Sequence, residues 1–263
     1  MIYKLFTLTR LAKDKVNALR KLTQSLLVFQ YSVLMSLVLL LPTACLNVAQ
    51  DRSELEEKVG HAKLYPITVS VKDGLASVRK LNVQGENLHI ELWAQAPSLE
   101  VKLNYEPEVK SSARIKLKLY NSMADSQILL LHESVQQNLP VEYTSPTVLS
   151  SELELESGSY QLLLIPPQPK LDQSWKFGLF ADVQERLNGV ADLLVPLGQE
   201  DLKFALISGD LTRRGAREEL EAFQRQQLQH LPFPCYATLG NHELGTEGVP
   251  FYHYFGRGSF SFE

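Results

Sequence analysis

The chain has 263 residues, 44% of them hydrophobic and 21% charged, with few Gly or Pro, a globular composition that excludes wholesale disorder and allows two modest domains. Its formal net charge is −4, and its two cysteines lie in contexts too unlike to suggest a disulfide framework or a zinc site. Removing the six basic residues and one acid of the first 25 positions from 26 and 30 leaves 20 basic against 29 acidic residues, a net of −9. That balance, without a basic patch interleaved with aromatics, excludes a nucleic-acid-binding surface.

In chain order, the first segment is a leader, 1–45. Lys4, Arg10, Lys13, Lys15, Arg20 and Lys21 precede an apolar run from Leu26 to Ala44. A basic region, an apolar region and small residues before a break form the pattern of a secretory signal. Leu41-Pro42-Thr43-Ala44-Cys45 resembles the bacterial lipoprotein lipobox, which implies Cys45 as the lipidated residue. An uncleaved membrane anchor stays open, because Leu26 to Ala44 is 19 residues, close to the length that spans a bilayer. Both readings predict an exported protein, membrane-anchored through a lipid or an N-terminal helix, in the periplasm or on the cell surface of a bacterium.

Residues 46–64 are polar, with Ser53–Lys58 a tether or a short helix, and a solvated linker is the favoured reading. From 65 to 166 the pattern becomes short runs of period two: Ile67–Val71, Leu88–Trp93, Leu99–Leu103, Arg114–Tyr120, Ile128–His132, Glu152–Glu156 and Tyr160–Ile165. Such spacing predicts a β-sandwich, immunoglobulin-like in kind. His89 and His132 sit inside strand patterns and read as packed or surface residues, and Trp93 reads as core. Pro166, Pro167 and Pro169 mark a stiff connector over 167–174, since proline breaks both periodicities.

The remaining segment, 175–263, changes character. Trp175–Ala181, Phe204–Ser208 and Tyr236–Leu239 are apolar runs that each end in a polar cluster, with helices predicted over Asn188–Gln199 and Ala216–Leu231 between them. Strands separated by helix-length segments predict a βαβ arrangement, which gathers the residues past its strand ends into one crevice. Those residues are Asp182-Val183-Gln184, Gly209-Asp210 and Gly240-Asn241-His242-Glu243. Asp182, Gln184, Asp210, Asn241 and His242 offer oxygen and nitrogen donors without a thiolate, a set suited to hard or borderline divalent ions. One such cluster alone would read as turn and helix-cap chemistry; three in succession point to a site. Cys235 reads as a small buried hydrophobe.

The order D-x-[HQ], then G-D, then G-N-H-[DE], each after a strand and about 25–30 residues apart, resembles the calcineurin-like metallophosphoesterases. Gln184 stands where most members carry His, which resembles a branch acting on nucleotide diphosphate derivatives. The resemblance implies an α+β chain in which a sandwich precedes a metallophosphoesterase αββα domain. It also implies two divalent ions, manganese, iron or zinc, with Asp182 and Gln184 on the first, Asp210 bridging and Asn241 on the second. Water activated there would attack a phosphorylated small molecule or other phosphoester substrate, with His242 facing the leaving group and Glu243 orienting it. Arg213 and Arg214 could contact substrate phosphate, although two solvated arginines at a helix start is the favoured reading.

Beyond Gly240-Asn241-His242, the 89 residues from Trp175 to Glu263 contain no G-H and no further G-x-H motif to supply additional family histidines, so they read as the N-terminal part of a truncated domain. Phe260–Phe262 is predicted to begin another strand, and a missing C-terminal segment would complete the ligand set. The competing expectation is a non-catalytic surface lipoprotein, in which the sandwich binds a partner and the phosphoesterase segment is a remnant.

Overall fold

The computed structural model describes residues 23, 25–27, 29–32, 50–85, 87–109, 111–168, 174–184 and 189–262. They fall into two units, Met1–Glu54 and Leu55–Glu263. The described residues of the first unit are helical. Among the described residues no helix is long and apolar enough to cross a membrane. Cys45 and most of the apolar run before it lie outside the described residues.

In the second unit, after a helix over 50–57 (α1), two sheets are built from the alternating segments. The first has six strands in the order β1 (His61–Leu64), β2 (Ile67–Val71), β5 (Leu99–Tyr105), β11 (Gly158–Ile165), β7 (Gln127–His132) and β8 (Val135–Leu139). The second has five, in the order β3 (Ala76–Gln84), β4 (Asn87–Ala94), β6 (Ala113–Tyr120), β10 (Val148–Leu155) and β9 (Glu142–Ser145). All pairs are antiparallel except β4 with β6. Period two decides which residues meet: Ile67, Val69 and Val71 of β2, Val101 and Leu103 of β5, and Ile115, Leu117 and Leu119 of β6 enter one core shared by both sheets. The residues between them point outward, where Lys116 opposes its register partner Glu152 at 3.6 Å. His132 stacks on Tyr160 at 4.1 Å between ring centres and bonds the Ser159 carbonyl, as a packed histidine does.

A third sheet is parallel, with β12 (Lys176–Phe180), β13 (Leu202–Ile207) and β14 (Cys235–Ala237) in sequence order. Helix α2 (Ala191–Gln199) joins the first pair and α3 (Arg217–Phe223) the second. Ala205, Ile207, Cys235 and Ala237 pack with Leu194, Leu220 and Phe223 in a second core. The opposite face is apolar and open, with Trp175, Phe177 and Leu179 at 51%, 50% and 68% exposure.

Two predicted elements differ. The helix expected to run straight to Leu231 widens after Phe223 into a π-turn over Gln224–Leu228, closed by Gln229 N–H to Gln224 C=O at 2.9 Å. The inserted residue moves Leu228 rather than Gln227 into the core. It also points the Gln224 amide inward, where it donates to Tyr254 C=O at 2.6 Å and accepts from Arg79. Phe260–Phe262 is not a strand. Leu239 N–H bonds Gly258 C=O at 2.9 Å instead, and the Phe262 ring packs on Phe204 and Tyr236.

The third sheet is held by residues of the first two. The Asn121 amide, buried at the end of β6, accepts from Cys235 N–H at 2.7 Å and donates to Cys235 C=O and Ala94 C=O, each at 2.8 Å. Gln95 does the same one turn away, donating to Ala237 C=O at 3.0 Å and accepting from Arg257 N–H at 2.8 Å. Both amides supply the free edge of β14 with the hydrogen bonds that another strand would otherwise give it. Trp93 seals the contact, edge-on to Phe255 at 5.8 Å. Replacing Asn121 with Ala strands a buried N–H and C=O of β14, so urea unfolding should show a loss of about 2–3 kcal/mol. An unchanged midpoint would mean that water substitutes for the amide.

Candidate functional site

The three motifs meet where the parallel strands end. The exits of β12 and β13 turn through left-handed backbone, with Asp182 at φ 57°, Gln184 at φ 37° and Asp210 at φ 53°. The polar side chains of Asp and amide residues tolerate this region better than other side chains do. Asp182 N–H donates to Gly209 C=O at 3.4 Å, and Gln184 N–H to Asp210 C=O at 3.1 Å, which lays the first loop alongside the second. The Gln184 amide nitrogen then lies 3.4 Å from Asp182 Oδ1 and 3.5 Å from Asp210 Oδ2. Three of the predicted ligands therefore converge.

The third loop is tied to the second through Glu243. Its side chain is completely buried. Oε2 accepts from Asp210 N–H and Gly240 N–H, each at 3.0 Å; Oε1 accepts from Thr212 N–H at 3.0 Å and from the Thr212 hydroxyl at 3.3 Å. A buried carboxylate without such donors would carry a large desolvation cost. Gly240 is required by crowding rather than by its backbone angle: a Cβ there would lie 2.1 Å from Asp210 N.

The expectation that Glu243 orients His242 meets a different geometry, because this carboxylate collects backbone N–H groups of the loops after β13 and β14. His242 is held by other groups. Its backbone N–H donates to Asp210 Oδ1 at 3.0 Å, and its Nδ1 lies 2.8 Å from Arg213 C=O. That bond requires a proton on Nδ1 and leaves Nε2 available. Asn241 is exposed beside it. Arg214 Nε lies 3.5 Å from Glu219, in keeping with a solvated arginine at a helix start. Glu219 also accepts from the Arg214 and Ala216 N–H groups and so caps α3. Cys235 is buried, and burial pushes its thiol far above the usual range, which removes it as a nucleophile.

Among the described residues no group of three or more His, Cys, Asp and Glu side chains is gathered to hold a metal ion. The gathered donors are two carboxylates and an amide. A positively polarised N–H₂ group already sits between Asp182 and Asp210, where a cation would face both, and a half-turn of the Gln184 amide presents its oxygen instead. The chemistry of this set fits a hard divalent ion. Thr212 and Gly215 complete the site without having been singled out in the sequence; a lone Thr after Gly209-Asp210-Leu211 gives no signal of its own.

Residues 176–263 match the family model for calcineurin-like phosphoesterases. The match covers the C-terminal part of the chain only, and the chemistry of the matched family is phosphoester hydrolysis in general. No curated protein matches the chain. Among solved structures, CelM2, a bifunctional glucanase-xylanase from a metagenome library, is 22% identical over 38% of this chain and 16% of its own, with a TM-score of 0.22. The ferredoxin reductase of carbazole 1,9a-dioxygenase, in its FAD apo form, is 12% identical over 74% of this chain and 67% of its own, with a TM-score of 0.14. Likenesses at these scores support no conclusion, and the chain spans 16% of the length of CelM2.

His242 carries a testable signature. The Arg213 carbonyl, followed by the nearby charges of Asp210, Glu243 and Asp182, raises its pKa against a smaller lowering by burial. A histidine raised above its unfolded value of about 6.5 adds stability that is fully present below that pH and is lost as pH rises through the folded value. An NMR titration of chelator-treated protein should place the His242 midpoint above 6.5; a midpoint at or below it would contradict the bond to Arg213.

Proposed function

We propose that the crevice at the ends of β12, β13 and β14 is the site of a metal-dependent phosphoesterase acting on a phosphate ester or phosphoanhydride. The observation that carries this reading is the convergence of Asp182 and Asp210 on the Gln184 amide, beside an imidazole fixed by Arg213. Asp182, Gln184 and Asp210 would hold one divalent ion, and Asp210 with Asn241 a second; manganese, iron or zinc suits such ligands. When bound, the ions supply positive charge at the phosphoryl oxygens and lower the pKa of the attacking water. Hydrolysis forms a bond from the water oxygen to phosphorus and breaks the bond to the leaving group. His242, protonated more readily because of Arg213, gives a proton to the departing oxygen through Nε2.

The substrate is a phosphorylated small molecule or other phosphoester, and the acidic body argues against nucleic acid. We read the two-sheet module as immunoglobulin-like and as the support of the catalytic segment. The basic leader, the apolar run and Cys45 support an exported bacterial protein anchored at a membrane.

The test is turnover of p-nitrophenyl phosphate by the chelator-stripped chain after reloading with Mn²⁺. Asp210→Ala should lower the rate about 100-fold or more, since a metal ligand carries several kcal/mol of transition-state charge stabilisation. Mn²⁺ uptake without turnover would instead favour a binding module that retains the phosphoesterase segment as a remnant, and turnover unaffected by Asp210→Ala would overturn the assignment of the activity to this crevice.

A further inference from the structure

Behind the candidate ligands lies a residue that belongs to none of the three motifs. Thr212 is fully buried, and its hydroxyl has two partners, donating to Glu243 Oε1 at 3.3 Å and accepting from Gly215 N–H at 3.0 Å. We infer that Thr212 is a positioning residue for Asp210, acting through the Glu243 carboxylate. The inference rests on the metal-dependent reading of the site given above.

Asp210 must hold its carboxylate in the crevice from left-handed backbone at φ 53°, a conformation that persists only where the surroundings fix it. Its C=O is held by Gln184 N–H and its N–H by Glu243 Oε2. Its Oδ1 is taken by the backbone N–H of His242, which leaves Oδ2 as the oxygen that faces Gln184 and a cation. Of these restraints, the one on the Asp210 N–H is made by the Glu243 carboxylate itself, and the same oxygen holds Gly240 N–H on the loop that carries His242. Oε2 serves Asp210 and Gly240; Oε1 is bonded to Thr212, through its N–H and its hydroxyl. Thr212 therefore sets the rotation of the carboxylate about its last bond, and with it the place of Oε2.

The Gly215 N–H fixes the hydroxyl in turn. By occupying a lone pair of Oγ1 it directs the hydroxyl proton toward Glu243. Gly215 reaches this position at φ 67°, with the place of a Cβ only 2.5 Å from Glu243 Cα, so the loop from Asp210 to Gly215 closes around the acid as no chain with a side chain there could. The hydroxyl matters to this arrangement and the methyl group does not. A residue present for packing alone would reverse that order.

The experiment exploits the difference. The chelator-stripped full chain and its Thr212→Val and Thr212→Ser variants are titrated with Mn²⁺, free ion is read by electron paramagnetic resonance, and the folded fraction is set by thermal melting. Val keeps the volume and loses the hydroxyl; Ser keeps the hydroxyl and loses the methyl. Thr212→Val should bind Mn²⁺ at least about 10-fold more weakly, the loss typical when a group supporting a metal ligand is removed, while Thr212→Ser stays close to wild type. Unchanged affinity in Thr212→Val, or an equal loss in both variants, overturns the positioning role and leaves the phosphoesterase reading standing. A wild-type chain that takes up no Mn²⁺ overturns that reading and the positioning role together. If Thr212→Val does not fold, Thr212→Ala is read in its place, and failure of both to fold overturns the inference in favour of a folding role.

Discussion

The site depends on a single buried carboxylate. Glu243 accepts hydrogen bonds from the backbone of Asp210, Thr212 and Gly240, segments that leave two different strands. In a water-excluded position such an acid is tolerable only when its lone pairs are filled by well-placed donors, and loop N–H groups are tolerable only when an acceptor reaches them. Each requirement satisfies the other. The result is a set of exposed and half-buried polar side chains above, Asp182, Gln184, Asp210 and Asn241, standing on a hydrogen-bonded floor. The strained backbone of Asp210 is the visible cost of that arrangement.

The same logic of borrowed hydrogen bonds operates one layer below. A strand of three residues, β14, carries the Gly240-Asn241-His242-Glu243 loop. Its outer edge is completed by the amides of Asn121 and Gln95, which directly follow β6 and β4 of the five-stranded sheet. The module without evident chemistry is thus physically continuous with the site. Arg79 reinforces the junction from another side, with its guanidinium 4.4 Å over the Tyr254 ring and bonded to Gln224 in the π-turn of the helix that follows α3.

How much was legible beforehand varied with the kind of interaction involved. Seven strands of the antiparallel sheets are visible as period-two runs because their inner faces are buried as a regular row. β1, β3, β8 and β9 are not, because at sheet edges they carry no regular apolar alternation: β8 reads Val-Gln-Gln-Asn-Leu. The three strand exits of the site announced themselves through Asp, Gly and Asn after apolar runs. Thr212 did not, since a buried threonine whose value lies in one hydroxyl bond resembles any threonine in a loop. The π-turn at Gln224 also left no trace, and the contact it makes joins residues 145 positions apart, Arg79 and Gln224.

Sequence alone determined the strand-helix-strand rhythm of the C-terminal segment and the alternating strands before it, because each is written in the spacing of neighbouring residues. Tertiary structure decided what Glu243 does, which atoms fix His242, and how β14 is held. Those outcomes depend on which backbone groups are left without partners once the chain has closed on itself, and no local pattern records that.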